Sequence, residues 1–438
     1  MTLSSLDSRN AVFFKLLALA LTLCSASAIR VVFSALQEAA KVDLELSDMQ
    51  LSLVQGLAVS IPIAVLSIPI GRITDRGNRL RLLIVLGLVW SLGSIATAFV
   101  NGFYGLFVAR MFAGIGAMCA IPVAISIAAD LSPPERRGRS LLFLSIGNIA
   151  GGAIAFAVGG WLLEYVGSGL PLPGALAPWR EVHLVFGSAG LLLLIALSPM
   201  REPVRHEIAE RIHTSLAPAL REIWLMRRLL GPMFLGQLTV VMADTAAGIW
   251  AAPVLGRHYG LEPQDFAGWM GAVILGAGIA GSLIGGIAAD IGHKTHGGKG
   301  ILLSAVIAAW VSVPAAGFCL APGVPSFALL LTLLLACGTI TGLVTATAIA
   351  VLVPNEVRGV CIGLFVVVGG VVGLGIAPTT VTIVSEALGG EDALRHALAS
   401  VTAVTSLVAA VGFTFALRSI GGREPHAADR VVCETSSN

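Results

Sequence analysis

Apolar windows of about 20 residues, each long enough to cross roughly 30 Å of hydrocarbon, recur along nearly the whole chain with short polar breaks between them. They fall at 12–36, 48–72, 80–99, 104–128, 139–163, 182–199, 231–255, 266–290, 299–320, 327–352, 358–386 and 394–418. The pattern predicts an all-α membrane protein of twelve transmembrane helices. The one sizeable polar insertion, residues 200–230, lies between spans six and seven.

The pattern repeats internally. Gly71-Arg-Ile-Thr-Asp75-Arg-Gly77 closes the second window and Gly286-Ile-Ala-Ala-Asp290-Ile-Gly292 closes the eighth, with glycine, acid and glycine in step. The same offset pairs Leu46-Ser47 with Leu261-Glu262 after the first helix of each half. Two equivalent, pseudo-symmetric halves are therefore expected, as in internally repeated transporters. The division is 1–199 for the first six-helix bundle, 200–230 for a linker, 231–420 for the second bundle and 421–438 for a polar tail that reads as disordered. In the linker, Ile208, Ile212, Leu216 and Leu220 have helical spacing, which fits a surface amphipathic helix and a plain solvated linker equally.

Composition changes the picture in one way and charge in another. Hydrophobic residues make up 56% of the chain and charged ones 12%, too few to coat a soluble protein, whose charged share is about a quarter. Gly147-x-x-x-Gly151, Gly281-x-x-x-Gly285 and Gly369-x-x-x-Gly373 offer three faces for close helix approach. Although the net charge is only +2, 21 of the 27 Lys and Arg sort to one side of the spans. The positive-inside rule then puts both termini and the linker in the cytoplasm, with a bacterial inner membrane as the expected location. Membrane lipid explains these charges, so no nucleic-acid partner is called for. The six cysteines have no C-x-x-C spacing and read as small hydrophobes, without a disulfide. A short apolar run ending at Ser25-Ala26-Ser27-Ala28 mimics a signal peptide, but cleavage there would remove most of a helix whose counterpart opens the second half.

Asp75 and Asp290 stand where a carboxylate can meet the exposed N–H groups that open a neighbouring helix. Asp75 is expected near the start of span eleven, around Asn355 to Arg358, and Asp290 near the start of span five, around Arg139 and Ser140. Gly71 and Gly286 would let the helices cross closely there. Such contacts would act as latches between the halves.

The segment Gly71 to Arg79 resembles the loop signature of the major facilitator superfamily. Pro133-Pro134-Glu135-Arg136-Arg137-Gly138-Arg139 resembles the loop after that family's fourth helix, and Pro354-Asn355-Glu356-Val357-Arg358-Gly359 its second-half copy. Leu46 to Gln50, Gly77-Asn78-Arg79, Trp179-Arg180 and Trp250 to Pro253 are similar to the spinster-like branch, whose members include lipid transporters. The resemblance implies the superfamily fold and a gating role for Gly71, Asp75, Arg76, Arg79, Asp130, Arg136, Gly286, Asp290 and Arg358. Two departures matter. Where spinster-like sequences carry an Asp-Arg pair in the first helix and a Gly-Glu-Ala step in the fourth, this chain has Ile29-Arg30 and Gly116-Ala117-Met118. Both acids linked with proton coupling are absent.

Arg30 remains inside span one, where an unpaired cation costs roughly 2.5 to 3.5 kcal/mol on insertion scales, so it should face a wet central cavity. The repeat places Ile29 opposite Asp244. The acid missing from span one thus has a counterpart in span seven, a candidate for coupling or substrate contact that could take a proton when dry and release it when wet. A structural Arg30–Asp244 ion pair is the plainer reading. Arg110, in Arg-x-x-x-Gly114-x-Gly116, either binds substrate or ties helix ends together. Gln55, Asn148, Gln237 and Thr341 can line a cavity or bond between helices, and Trp250 and Phe33 can wall an amphipathic ligand or sit at the interface.

No phosphate loop, His-Glu-x-x-His or serine elbow occurs, so the chain does not read as an enzyme, and no cofactor is implied. His293 and His296 lack the companions of a metal site. The function expected is secondary active transport of a small organic or amphipathic solute, anionic or lipid-like, by alternating access and as a monomer, with proton coupling open. A multidrug exporter, an uncoupled facilitator and a non-transporting receptor stay as alternatives.

Overall fold

The computed structural model describes residues 3–133, 136–168, 176–205 and 216–420. Span one is α1 (Leu3–Asp43). Span two is α2 (Asp48–Gln55) continued, after a break at Gly56, by α3 (Leu57–Arg76). Spans three to six are α4 (Arg79–Thr97), α5 (Phe103–Leu131), α6 (Arg137–Gly167) and α7 (Pro178–Leu197). After a short helix α8 (Leu216–Leu225), span seven is α9 (Arg227–Tyr259), spans eight and nine lie in α10 (Pro263–Ala315), and span ten is α11 (Val324–Leu352). Span eleven is α12 (Asn355–Val368), a π-helical stretch Gly369–Leu374 and α13 (Gly375–Leu388), and span twelve is α14 (Leu394–Ile420).

Among the described residues eleven helices are long and apolar enough to cross a membrane, against twelve windows in the sequence. The difference is α10. A straight helix of its 53 residues would run about 80 Å, more than twice the hydrocarbon thickness, so it must double back. It does so at His296 and Gly297, the latter at φ 57° and ψ −139°, a left-handed backbone that glycine adopts without penalty. Gly292 and Gly300 then lie back to back, each where an added Cβ would overlap the other's carbonyl. The chain is an all-α, multi-pass integral membrane protein.

Local chemistry sets the helix ends. Ser47 and Gln50 form a reciprocal capping box at the start of α2, and the Asn78 side chain caps α4 by accepting from Arg81 N–H at 2.8 Å, each satisfying donors that a first turn leaves unpaired. The glycine faces behave unequally. Gly147 and Gly151 bring α6 onto the carbonyls of Ala20 and Cys24 in α1, and Gly281 and Gly285 bring α10 onto α11. In the third face Gly373 packs on Val241, but Gly369 has no neighbour within 4 Å. The π-helical stretch there changes the side from which successive residues project, so that face is not a close crossing.

Two apolar cores divide the molecule. One joins the first six spans to the far ends of the last six, including Trp90, Trp179, Trp250, Phe266, Phe327 and Val381. The second, with Leu229, Met233, Ile301, Val344, Val357 and Phe413, belongs to the last six spans and α8 alone. The halves are therefore welded at one end. We call the end holding the starts of α4, α6 and α9 the basic end, and the other the opposite end. Of the linker, residues 206–215 lie outside the described residues, as do the tail 421–438 and, within the Pro133–Arg139 loop, Pro134 and Glu135.

Candidate functional site

A cavity of about 500 Å³ lies between the halves, with Ser27, Arg30 and Ser34 of α1, Gln55 of α2, Arg110 of α5, Asn148 of α6, Asp244 and Thr245 of α9 and Thr339 of α11 on its walls. Its remaining lining is mostly aliphatic and aromatic, for example Val59, Phe156, Ile249 and Ile274. The Arg110 side chain is buried. It donates to the Ile29 carbonyl at 3.2 Å and the Arg30 carbonyl at 2.7 Å, and its guanidinium lies 5.1 Å from the Phe33 ring centroid. Those bonds fix the backbone that carries Arg30. The Arg30 guanidinium itself has no hydrogen bond or ion pair to a described residue and faces the cavity. Two neighbouring guanidiniums thus give the α1 wall a positive field with one charge left to bind something.

Asp244 stands on the wall from the other half. Its carboxylate occupies the space above Gly338, where a Cβ would come within 1.9 Å of Oδ2, so only glycine lets α9 and α11 pack around it. Asp244 Oδ1 is buried without a hydrogen-bond partner. Arg30 and Asp244 share a cavity but do not pair, so the ion pair that the sequence offered as the alternative reading is not formed here.

Towards the opposite end the halves are tied together in three layers. Ser34 donates to Gln55 at 2.9 Å, Gln55 to Gln37 at 2.5 Å, and Gln37 to the Ile249 carbonyl at 2.5 Å, a relay from α1 and α2 into α9. Gly56 and Gly375 then let α2 and α13 touch backbone to backbone, and Ser52 meets the hydroxyls of Thr379 and Thr382 at 3.4 and 3.3 Å. Outermost is an ion cluster. Arg257 binds Asp48 at 2.6 Å and Glu38 at 2.7 Å, and Lys41 binds Asp48 at 2.8 Å and also Glu391. Glu38, Lys41 and Asp48 belong to the first half, Arg257 and Glu391 to the second.

The basic end differs. Arg79 is buried and pairs with Asp130 and Glu202, while Glu202 also accepts from Leu80 N–H at 3.0 Å, placing a carboxylate at the start of α4 where the helix dipole favours it. Arg205 collects the carbonyls of Thr74, Asp75 and Gly77 at the end of α3. These bonds lie within the first half or tie it to the start of the linker, and none reaches the second half.

Comparison with known proteins settles the family. The model of the Major Facilitator Superfamily matches residues 18–378. The chain belongs to the major facilitator superfamily. It is 29% identical over 283 residues to the "Probable sulfoacetate transporter SauU" of Cupriavidus necator, covering 60% of this chain and 62% of that protein. It is 26% identical over 223 residues to the 3-(3-hydroxy-phenyl)propionate transporter of Escherichia coli, covering half of each. These relatives are transporters and not enzymes. A bacterial homolog to human lysosomal transporter Spinster, in an inward-facing and unoccupied conformation, matches 95% of this chain and 99% of its own with a TM-score of 0.78 at 22% identity, which shows a shared superfamily fold.

Within that fold the candidate residues separate. Arg30, Gln55, Arg110, Asn148 and Asp244 converge on the cavity. Trp250 and Gln237 do not. Trp250 is fully buried and donates to the Pro378 carbonyl at 3.2 Å, and Gln237 accepts from Thr345 at 3.2 Å, so both bind helices of the second half to one another. Phe33 is buried beneath Arg110. The Asp290 latch is not closed in this conformation: an added Cβ on Gly286 would meet only Leu343, and Asp290 is exposed with no bond to a described residue. Arg76 and Arg136 are exposed, and Arg358 caps its own loop through the Val353 carbonyl at 3.2 Å. Sequence reading missed Gln37 and the Glu38–Asp48–Arg257 cluster. One signal was available, since Arg257 is among the four basic residues sorted to the sparsely charged side.

Proposed function

We propose that the chain is a secondary active transporter of the spinster-like branch, working by alternating access on small organic anions that carry an apolar part. The halves are bound to one another at the opposite end, while the ion pairs described at the basic end do not cross between them. With the positive-inside rule placing the basic end and both termini in the cytoplasm, this is the inward-facing state of a protein in a bacterial inner membrane. Transport needs no partner chain in this reading, so the protein acts as a monomer in lipid.

The observation that carries the substrate class is the unpaired Arg30 guanidinium, held on a largely apolar cavity by Arg110. Such a charge calls for a carboxylate or other anionic group, because an unpaired cation at membrane depth is costly. The names of the two relatives described above support it, since sulfoacetate and 3-(3-hydroxyphenyl)propionate both bear a carboxylate. Asp244 is the acid through which ion movement couples to the cycle: it belongs to the half that moves against Arg30 and changes its access as the halves rock.

Uptake of radiolabelled organic acids into proteoliposomes tests this. Arg30→Ala should cut the initial rate by about tenfold or more, the loss of a charged hydrogen bond of 1.5 kcal/mol or above, and Asp244→Asn should abolish accumulation against a gradient while sparing exchange. Unchanged uptake in both variants would remove the pair from the mechanism. Strong competition by unrelated cations and neutral compounds would point to a multidrug exporter instead.

A further inference from the structure

Behind the cavity, α9, α10, α11 and α14 enclose a second, smaller recess, and Asp244 belongs to the walls of both. Its oxygen-bearing side chains are Asp244, Ser312, Thr341 and Ser406, all from the second half. Two of the oxygens are anomalous. Asp244 Oδ1 and Ser406 Oγ are each buried without a hydrogen-bond partner, although buried polar groups are satisfied in the great majority of cases. They line one recess and do not bond to each other. The other two hydroxyls have already used their hydrogens: Thr341 donates to the Gly338 carbonyl at 2.9 Å and Ser312 to the Ala309 carbonyl at 2.8 Å. Only lone pairs are left to turn inward. The recess therefore presents mostly acceptors, one of them a carboxylate, with the Ser406 hydroxyl and the weakly polar Cys337 thiol the groups on its wall still able to donate.

We propose that this recess is a sodium site, with Asp244 as its charged ligand and Ser312, Thr341 and Ser406 as neutral ones. Four hard oxygen donors against one buried thiol, Cys337, and no imidazole favour alkali and alkaline-earth ions over transition metals. One carboxylate balances a single positive charge, whereas a divalent ion would leave an uncompensated charge buried. The recess admits no water-sized sphere, so the ion must enter without its water and be small, which disfavours potassium. A proton would neutralise the carboxylate but leave Ser406 and the lone pairs of Ser312 and Thr341 without a role.

This deepens the transport reading and rests on it for its consequence. Because Asp244 is shared by recess and cavity, sodium behind it and an anion on Arg30 in front would bind with mutual support, the arrangement of a sodium–anion symporter. Sodium binding itself can be measured with no solute present, so its failure leaves the transport reading standing.

The experiment is thermal unfolding of the purified full chain at fixed pH and ionic strength in sodium, potassium or choline chloride. Sodium alone should raise the melting temperature saturably by a few degrees, the size expected of a ligand that binds only the folded state. Asp244→Asn should remove the shift, and Ser406→Ala should raise the half-saturating sodium concentration by about tenfold, one lost ligand bond. Equal melting temperatures in the three salts, or a sodium shift that survives Asp244→Asn, overturns the site. If the variants do not fold, equilibrium binding of radiolabelled sodium to the unaltered protein decides: saturable binding that excess potassium does not displace supports it, and no binding refutes it. A melting temperature that moves with pH but not with sodium assigns Asp244 to a proton and rejects the proposal.

Discussion

The two ends of the bundle use the same kinds of charged residue to different effect. At the opposite end every strong ion pair around Arg257 and Lys41 either crosses between the halves or shares Asp48 with one that does. At the basic end Arg79, Asp130, Glu202 and Arg205 knit the first half to itself and to the start of the linker. Charge that bridges halves sets which conformation is favoured; charge that stays within one half keeps that half rigid while it moves. The apolar cores divide in the same way, one crossing the halves at the opposite end and one confined to the second half.

Four substitutions sharpen or break that contrast. Arg79→Met should have the largest effect on stability, about 3 kcal/mol, because it strands two largely buried carboxylates. The thermal unfolding temperature should fall while the balance between inward- and outward-facing states stays put; a shifted balance would contradict the intra-half role. Arg257→Met comes next. Its cluster is partly exposed, so the loss is nearer about 2 kcal/mol, and since it falls only on the state closed at the opposite end it should move the conformational ratio by roughly 30-fold. State-selective thiol labelling would read that ratio.

Gly56→Ala is expected to act through sterics. The new Cβ would lie 2.5 Å from the Gly375 carbonyl oxygen, an overpacking cost of about 1 to 2 kcal/mol that again falls on the closed opposite end. Labelling of a cysteine placed at Thr379 should rise; unaltered labelling would mean that the crossing is not part of the gate. Asp290→Asn should be the mildest, changing stability of this conformation by less than about 0.5 kcal/mol, since the side chain is exposed and bonds no described residue. It should nonetheless slow uptake, because its expected partner at the start of α6 is met only when the basic end closes. Normal uptake would remove the latch.

The spans, the doubled architecture and five of the polar residues on the cavity wall, Arg30, Gln55, Arg110, Asn148 and Asp244, were legible in the sequence because each leaves a one-dimensional trace. Apolar length marks a crossing, the matched Gly71–Asp75 and Gly286–Asp290 phrases mark the duplication, and lone charges such as Arg30 and Asp244 stand out in apolar runs. What the sequence hid depends on pairing across long separations. Glu38 and Arg257 are ordinary charges at helix ends until folding places them 2.7 Å apart. Gln37 looks like one more polar residue until it reaches the Ile249 carbonyl. Trp250 was expected against a ligand because an amphipathic ring near a helix end fits either role; the bond to the Pro378 carbonyl shows that packing between α9 and α13 claimed it. The reversal in α10 was legible as the break between the windows 266–290 and 299–320, though not that His296 and Gly297 would carry it between two helices that otherwise run on.

Charge crossing the halves at the opposite end is expected to hold the protein in the state closed at that end. Pulsed electron spin resonance on the protein in lipid nanodiscs tests it most directly, with spin labels at Glu45 and Glu262 across the opposite end and at Arg76 and Asp290 across the basic end. The account predicts a short, narrow distribution for the first pair and a long one for the second, with Arg257→Met lengthening the first and shortening the second. If Arg257→Met leaves both distributions as they were, the ion cluster does not hold the gate and the account is wrong.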